Sequence, residues 1–195
     1  MIDELRTERL LLRPLALDDA DEYFRVYSDP RTWDHLPSGR HTSHEESVRA
    51  IRRSLDSQGR FGFSHCAVVL RGDVEGLSAG SFLGSAGAAM LEVEAWNLGY
   101  RFSPEAWGRG FATEAAVAAL DAARRAQPDI PVTARVLATN SASVRVLERL
   151  DLELVWRGRS AHAPAHDGDT THLERLIFAD RPIDVATLDA LIALG

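Results

Sequence analysis

Pro104-Glu105-Ala106-Trp107-Gly108-Arg109-Gly110-Phe111-Ala112-Thr113-Glu114-Ala115 is the stretch whose reading decides the fold. Residues 92–102 before it carry Trp96, Leu98, Tyr100 and Phe102 at period two, the pattern of a strand. Residues 112–126 after it are alanine-rich and stop short of Pro128 and Pro131, the pattern of a helix. Glycines at alternate positions let the backbone turn tightly and come close to a guest. The helix that follows aims its unpaired N–H groups back at the turn. Together these features describe an anion cradle suited to a diphosphate. The amides of Gly108, Arg109, Gly110, Phe111, Ala112 and Thr113 converge on the guest. Arg109 adds a cation at the rim, and a side chain at Gly110 would collide with what is bound. A plain glycine turn capped by a helix uses the same residues, so the motif alone does not decide. A Walker loop is excluded because no lysine follows the glycines, and a dinucleotide fingerprint because the third glycine is absent.

Outward from that turn, strand patterning is predicted at residues 10–15, 64–70, 80–89, 132–138, 152–159 and 171–179. Helices are predicted at residues 17–28, 43–57 and 141–150. Ser43 followed by Glu46 has the spacing of a capping box. The order predicts an α/β chain, a mixed sheet with helices on both faces. Residues 162–169 read as a polar loop. Residues 183–194 carry apolar side chains at helical spacing, free to cover the domain or a partner.

A chain of 195 residues with 45% hydrophobic side chains suits a single domain, residues 1–195, that fills its own core. The start is acidic and no apolar run is long enough to span a bilayer, so a soluble cytoplasmic protein without a membrane partner is expected. A net charge of −7 argues against nucleic acid as a partner. All 22 lysine-plus-arginine positions are arginine. The lone Cys66 lies in an apolar run and reads as a small buried hydrophobe.

A second constellation, Asn140-Ser141-Ala142-Ser143-Val144-Arg145-Val146-Leu147, opens a helix, where Asn140 fits an N-cap. The two segments together resemble the GNAT superfamily of acetyl-CoA-dependent N-acetyltransferases. The first is similar to its Gln/Arg-x-x-Gly-x-Gly/Ala phosphate signature at Trp107, Gly110 and Ala112. The second is similar to its Asn-x-x-Ala/Ser helix at Asn140 and Ser143. Thr7-Glu8-Arg9-Leu10-Leu11-Leu12-Arg13-Pro14-Leu15 resembles the branch that acetylates ribosomal-protein N-termini, the RimJ/RimL type. The likeness runs through residues 7–179, with residues 180–195 as an appendage.

The resemblance implies a mostly antiparallel sheet of about seven strands, splayed in the middle. It implies acetyl-CoA as cofactor, with the pantetheine arm lying in the splay against the backbone of Arg101 and Phe102. The Phe102 amide would face the thioester, and Asn140 would touch the arm or the attacking site. The branch also implies that a homodimer is possible. Trp107 departs from the usual Gln or Arg, and Leu147 stands where many relatives place a tyrosine acid. Ser143 is then expected to assist the leaving thiolate by a hydrogen bond. For a base, Glu94 is the candidate, with Glu92 on the same face if both lie in a strand. Solvated edge charges are the plainer role of both. A water-relayed path needs neither. His65 reads as a structural histidine, and His162 and His166 lie in a loop, so no metal is expected.

The expected activity is transfer of an acetyl group to a primary amine, a peptide N-terminus ahead of a small-molecule amine. Glu45, Glu46, Glu92 and Glu94 are available to attract a cationic amine. A non-catalytic acyl-CoA-binding module and a nucleotide-binding domain remain as other readings.

Overall fold

The computed structural model describes residues 4–159 and 173–194. The described strands are β1 (Leu5–Arg6), β2 (Leu10–Pro14), β3 (Cys66–Leu70), β4 (Phe82–Met90), β5 (Trp96–Phe102), β6 (Val132–Leu137), β7 (Glu153–Arg159) and β8 (Glu174–Ala179). They form one 8-stranded sheet in the order β1-β2-β3-β4-β5-β6-β8-β7. The described α-helices are α1 (Ala20–Tyr27), α2 (His44–Phe61), α3 (Phe111–Ala126), α4 (Ser141–Leu147) and α5 (Val185–Ala193). None of them is long and apolar enough to cross a membrane.

Every strand pair is antiparallel except β5 with β6. That parallel pair joins only Trp96 to Val132 and Asn97 to Thr133, although both strands run on. Each has a full partner on its other side. β5 pairs with β4 from Trp96 to Phe102, and β6 pairs with β8 from Thr133 to Leu137. The two halves of the sheet are thus held independently, and they diverge beyond Asn97.

One face of the sheet presents Leu10, Leu12, Val68, Leu83, Trp96, Leu98 and Phe102 to the alanine stripe of α3, including Ala115, Ala116 and Ala119. Alanine costs a helix nothing in side-chain entropy and lets it sit close to the strands. On the opposite face Ala67 and Phe82 of the sheet, with Leu15, pack against Tyr23 and Val26 of α1 and Ile51 of α2. Ser43 caps α2 as its spacing predicts: its hydroxyl accepts from the Glu46 amide at 3.4 Å, and the Glu46 carboxylate accepts from the Ser43 amide at 3.4 Å. The helix runs past residue 57 and stops at Gly62, whose φ of 84° is left-handed.

Two elements differ from their sequence patterns, and a third resolves a choice that the sequence left open. β1 is too short to carry a period. Residues 183–194 cover this chain's own sheet, with Leu191 in a cluster with Ala95 and Ile177. The predicted strand at residues 92–102 begins only at Trp96, because Leu91 and Ala95 close the β4–β5 hairpin at 2.9 Å. Glu94 sits in that turn with φ of +52°, so Glu92 and Glu94 share no strand face. The predicted loop at residues 162–169, with His162 and His166, lies outside the described residues.

His65 leads into β3 and sits over two glycines. A Cβ at Gly87 would lie 2.4 Å from the His65 Cα, and one at Gly99 would lie 3.2 Å from its Nε2. Burial holds this imidazole down to about 4. Unfolded, it titrates near ~6.5. Between those values the unfolded chain binds a proton that the native chain refuses, so acid favours unfolding across that window. Unfolding midpoints taken from about pH 7.5 to about pH 4.5 should fall more steeply for the parent than for His65→Gln. Equal slopes would contradict an imidazole that stays neutral in the folded chain.

Candidate active site

The cradle starts where β5 ends. The Ser103 amide donates to Leu83 O at 2.8 Å, and residues Pro104–Ala106 make one 3-10 turn. Gly108 and Gly110 follow with φ of 74° and 79°, a left-handed geometry that side chains resist. Gly110 is the N-cap of α3. Among the described residues no protein acceptor is bonded to the amides of Gly108, Arg109, Gly110, Phe111, Ala112 or Thr113. A helix start with free donors behind a double left-handed turn fits a diphosphate. The protein itself gives a second reason for glycine here, beside the expected collision with a guest. A Cβ at Gly110 would meet only Arg9 Nη2, at 3.4 Å, so the left-handed φ is what demands glycine there. Arg109 turns back, its Nε donating to Glu105 O at 3.2 Å.

Two contacts fix this turn. The Trp107 indole N–H donates to Phe102 O at 2.9 Å, tying the cradle to the end of β5. The residue that departs from the usual signature is therefore a brace. The second contact is a carboxylate clamp. Glu114 accepts from the Thr7 hydroxyl at 2.6 Å, from the Arg9 amide at 2.8 Å and from Arg9 Nε at 2.7 Å. Arg9 Nη1 also donates to Arg109 O at 2.9 Å, and its guanidinium lies 4.7 Å from the Phe111 ring centroid. Burial pushes the Glu114 carboxyl up, but the bonds from Thr7 and Arg9 outweigh it and hold it below the usual carboxylate range. No sequence spacing announces a contact between positions 107 residues apart.

Beyond the last β5–β6 pair lies a V-shaped opening. The Trp96 amide donates to Pro131 O toward β6, whereas the Ser103 amide donates toward β4. Strand alternation then turns the amides of Tyr100 and Phe102 toward the opening. It turns the Arg101 main chain toward β4, in register with Ser85. The expected pairing of a ligand with the Arg101 backbone is therefore corrected: Phe102 and Tyr100 face the slot. Asn140 and Ser143 stand across it on α4. The Asn140 side-chain oxygen accepts from the Ser143 amide at 3.1 Å, so that atom is committed to the cap. The Tyr100 hydroxyl donates to Ser143 O at 3.2 Å and ties α4 to β5. Burial pushes this phenol up to about 12, so it holds position and does not serve as a proton source. The Ser143 hydroxyl has no protein partner among the described residues. Leu147 is buried in the core.

The candidate base is not brought to the slot. Glu94 lies beyond the opposite end of β5, roughly 20 Å along the strand from Phe102. It borders a separate cleft with Asp129 and Arg181. Cys66 is buried, and burial pushes its thiol up to about 12. Trp96 is core, packed edge-on against Phe61 and Phe63. Trp33, in contrast, stacks on the Arg101 guanidinium, whose carbon is 3.2 Å from the ring centroid.

Replacing Glu114 with alanine should strip the clamp and leave Arg9 without its partner. A loss of about 2 kcal/mol of stability is expected, with weaker binding of coenzyme A, although Glu114 lies outside the ring of donor amides. Denaturant titration and calorimetry check this. Unchanged affinity in a folded Glu114→Ala protein would mean that the clamp does not shape the cradle.

The Acetyltransferase (GNAT) domain matches residues 9–153. An uncharacterised N-acetyltransferase of Bacillus licheniformis is 25% identical over 154 residues, 78% of this chain and 83% of that protein. An acetyltransferase structure from Agrobacterium tumefaciens is 26% identical with a TM-score of 0.69, covering 93% of this chain and 96% of that one. RimL, a ribosomal alpha-N-protein acetyltransferase solved with coenzyme A, is 17% identical with a TM-score of 0.70, over 93% of this chain and 99% of its own. The family model spans well over half of the chain, and the chain belongs to the GNAT family of N-acetyltransferases.

Proposed function

We propose that this enzyme moves an acetyl group from acetyl-CoA to a primary amine by direct attack, with both substrates bound at once. The observation that carries this is the break in β5–β6 pairing after Asn97, set beside free amides at residues 108–113. Acetyl-CoA supplies an activated thioester; the rest falls to the chain. The amides of residues 108–113 hold the diphosphate. The Tyr100 and Phe102 amides receive the pantetheine arm, and the Phe102 N–H stabilises the oxygen on which negative charge develops. Asn140 fixes the first turn of α4, and Ser143 donates to the sulfur as the C–S bond breaks and the N–C bond forms. The surplus amine proton passes to water, and the thiolate takes one up from solvent.

We assign the acceptor as the α-amine of a peptide or protein. An α-amine has a reference pKa of about 8 against about 10.4 for lysine, so it is partly neutral without a strong base. RimL, one of the similar structures, is named for action on a ribosomal protein's α-amine. The second reading is a small-molecule amine; the microcin C7 self-immunity acetyltransferase MccE, a similar structure, is solved with acetyl-CoA and the small molecule AMP.

Release of coenzyme A is the direct test. Ser143→Ala should lower kcat about tenfold with little change in the KM for acetyl-CoA, since a hydrogen bond to a charged group contributes roughly 1.5–3 kcal/mol. Cys66→Ala should keep its activity, because no acyl-enzyme forms. Loss of activity in Cys66→Ala would overturn direct transfer. Tight acetyl-CoA binding with no turnover on any amine would favour a binding module instead.

A further inference from the structure

Arg101 is the single charged side chain of β5, and it projects to the face that carries α1 and α2, one residue from Phe102. Its guanidinium lies on Trp33, 5.5 Å from the Tyr27 ring centroid, and donates to Thr32 O. Among the described residues no carboxylate pairs with it. A half-buried guanidinium without a counter-ion is costly, and two aromatic faces offset only part of that cost.

The same aromatic cluster continues into a second group of cations. The Tyr27 ring is 4.9 Å from His41. His41 lines a cleft of about 290 Å³ together with Arg40, Arg49 and Arg53. Arg49 and Arg53 stand one helical turn apart on α2, so they share a face. Neither they nor Arg40 has an ion-pair partner among the described residues. Glu46 also borders the cleft, but its carboxylate is committed to the helix start, accepting from the Thr42 amide at 2.6 Å and the Thr42 hydroxyl at 3.2 Å. Burial holds His41 below its ordinary value, with Arg53, Arg101 and Arg49 adding to the effect and Glu46 opposing it. A chain of net charge −7 therefore gathers Arg40, Arg49 and Arg53 at one cleft, with Arg101 near enough to act on His41 and with Glu45 acting on Arg49 from one helical turn away. Local charge of this kind focuses an attractive field for anions, whatever the global sign. Of the four carboxylates expected to attract a cationic amine, Glu45, Glu46, Glu92 and Glu94, only Glu46 borders this cleft. The first two sit in the first turn of α2, and the last two flank the hairpin turn beyond the far end of β5.

We propose that the acceptor is a primary amine that also carries an anionic group, carboxylate or phosphate, received by Arg101, Arg49 and Arg53 while the amine enters the β5–β6 opening. This rests on the acetyl-transfer reading and adds the class of amine. A peptide N-terminus followed by acidic residues and a small phosphorylated amine share the chemistry, so matched pairs separate the two sources. Ala-Glu-Glu amide is compared with Ala-Gln-Gln amide and Ala-Lys-Lys amide, and phosphoethanolamine with ethanolamine.

Acceptor binding is followed first, by quenching of tryptophan fluorescence in enzyme saturated with coenzyme A, and turnover second, by coenzyme A release with acetyl-CoA. At least one anionic member should bind about tenfold more tightly than its neutral partner and show the higher kcat/KM, carried by KM. In the double variant Arg49→Gln/Arg53→Gln that preference should shrink to about twofold, with acetyl-CoA calorimetry as the check on folding. The peptide pair or the phosphate pair that shows the preference names the source. Equal binding within both pairs, preference for the lysine peptide or ethanolamine, or an undiminished preference in the double variant would overturn the proposal. Anion-selective quenching without release of coenzyme A from any amine would instead sink acetyl transfer and leave the anion site standing.

Discussion

The site depends on one constraint, the point at which β5 and β6 cease to pair. Two parallel strands that stay in register leave no room between them. Here the register holds for Trp96 and Asn97 only. Each strand is secured from outside, β5 by seven positions of β4 and β6 by five of β8, so the sheet opens without either strand losing its anchor. The main-chain donors left facing the gap are then an inevitable product of strand alternation. A slot made of backbone does not require particular side chains.

The ends of the slot are set by side chains. Trp107 ties the glycine turn to the last carbonyl of β5, and Glu114 ties the start of α3 to Thr7 and Arg9 at the entrance of β2. The cradle is thus suspended between two strands of the same sheet. The Tyr100–Ser143 bond does the same for α4. Donors are placed before any ligand arrives, and preorganised donors are worth more than donors that must be gathered. The flank beyond Arg101 has a different character, aromatic and cationic.

The periodic parts of this fold were legible in the sequence. Alternation at Trp96, Leu98 and Tyr100, alanine runs in α3, the Ser43–Glu46 cap and the glycine turn each carry a local signal that local physics obeys. The hairpin at residues 91–95 was not, because alternation continues through Glu92 and Glu94 while the backbone has already turned. Glu94 shows how a register error of this kind moves a residue from one end of a strand to the other. The clamp on Glu114 and the stacking of Arg101 on Trp33 join positions far apart in the chain. Single residues carry no mark of such partners. The opening Thr7–Arg9 segment was recognisable as a pattern, yet its purpose became clear only from the contacts with Glu114.

Calorimetric titration of acetyl-CoA beside S-acetyl-pantetheine, which lacks the diphosphate, is the most direct measurement. If free amides at the start of α3 seat the diphosphate while the β5–β6 gap takes the arm, acetyl-CoA should bind with micromolar affinity and the truncated thioester about a hundredfold more weakly or worse. Equal affinities, or no heat with acetyl-CoA, would contradict it.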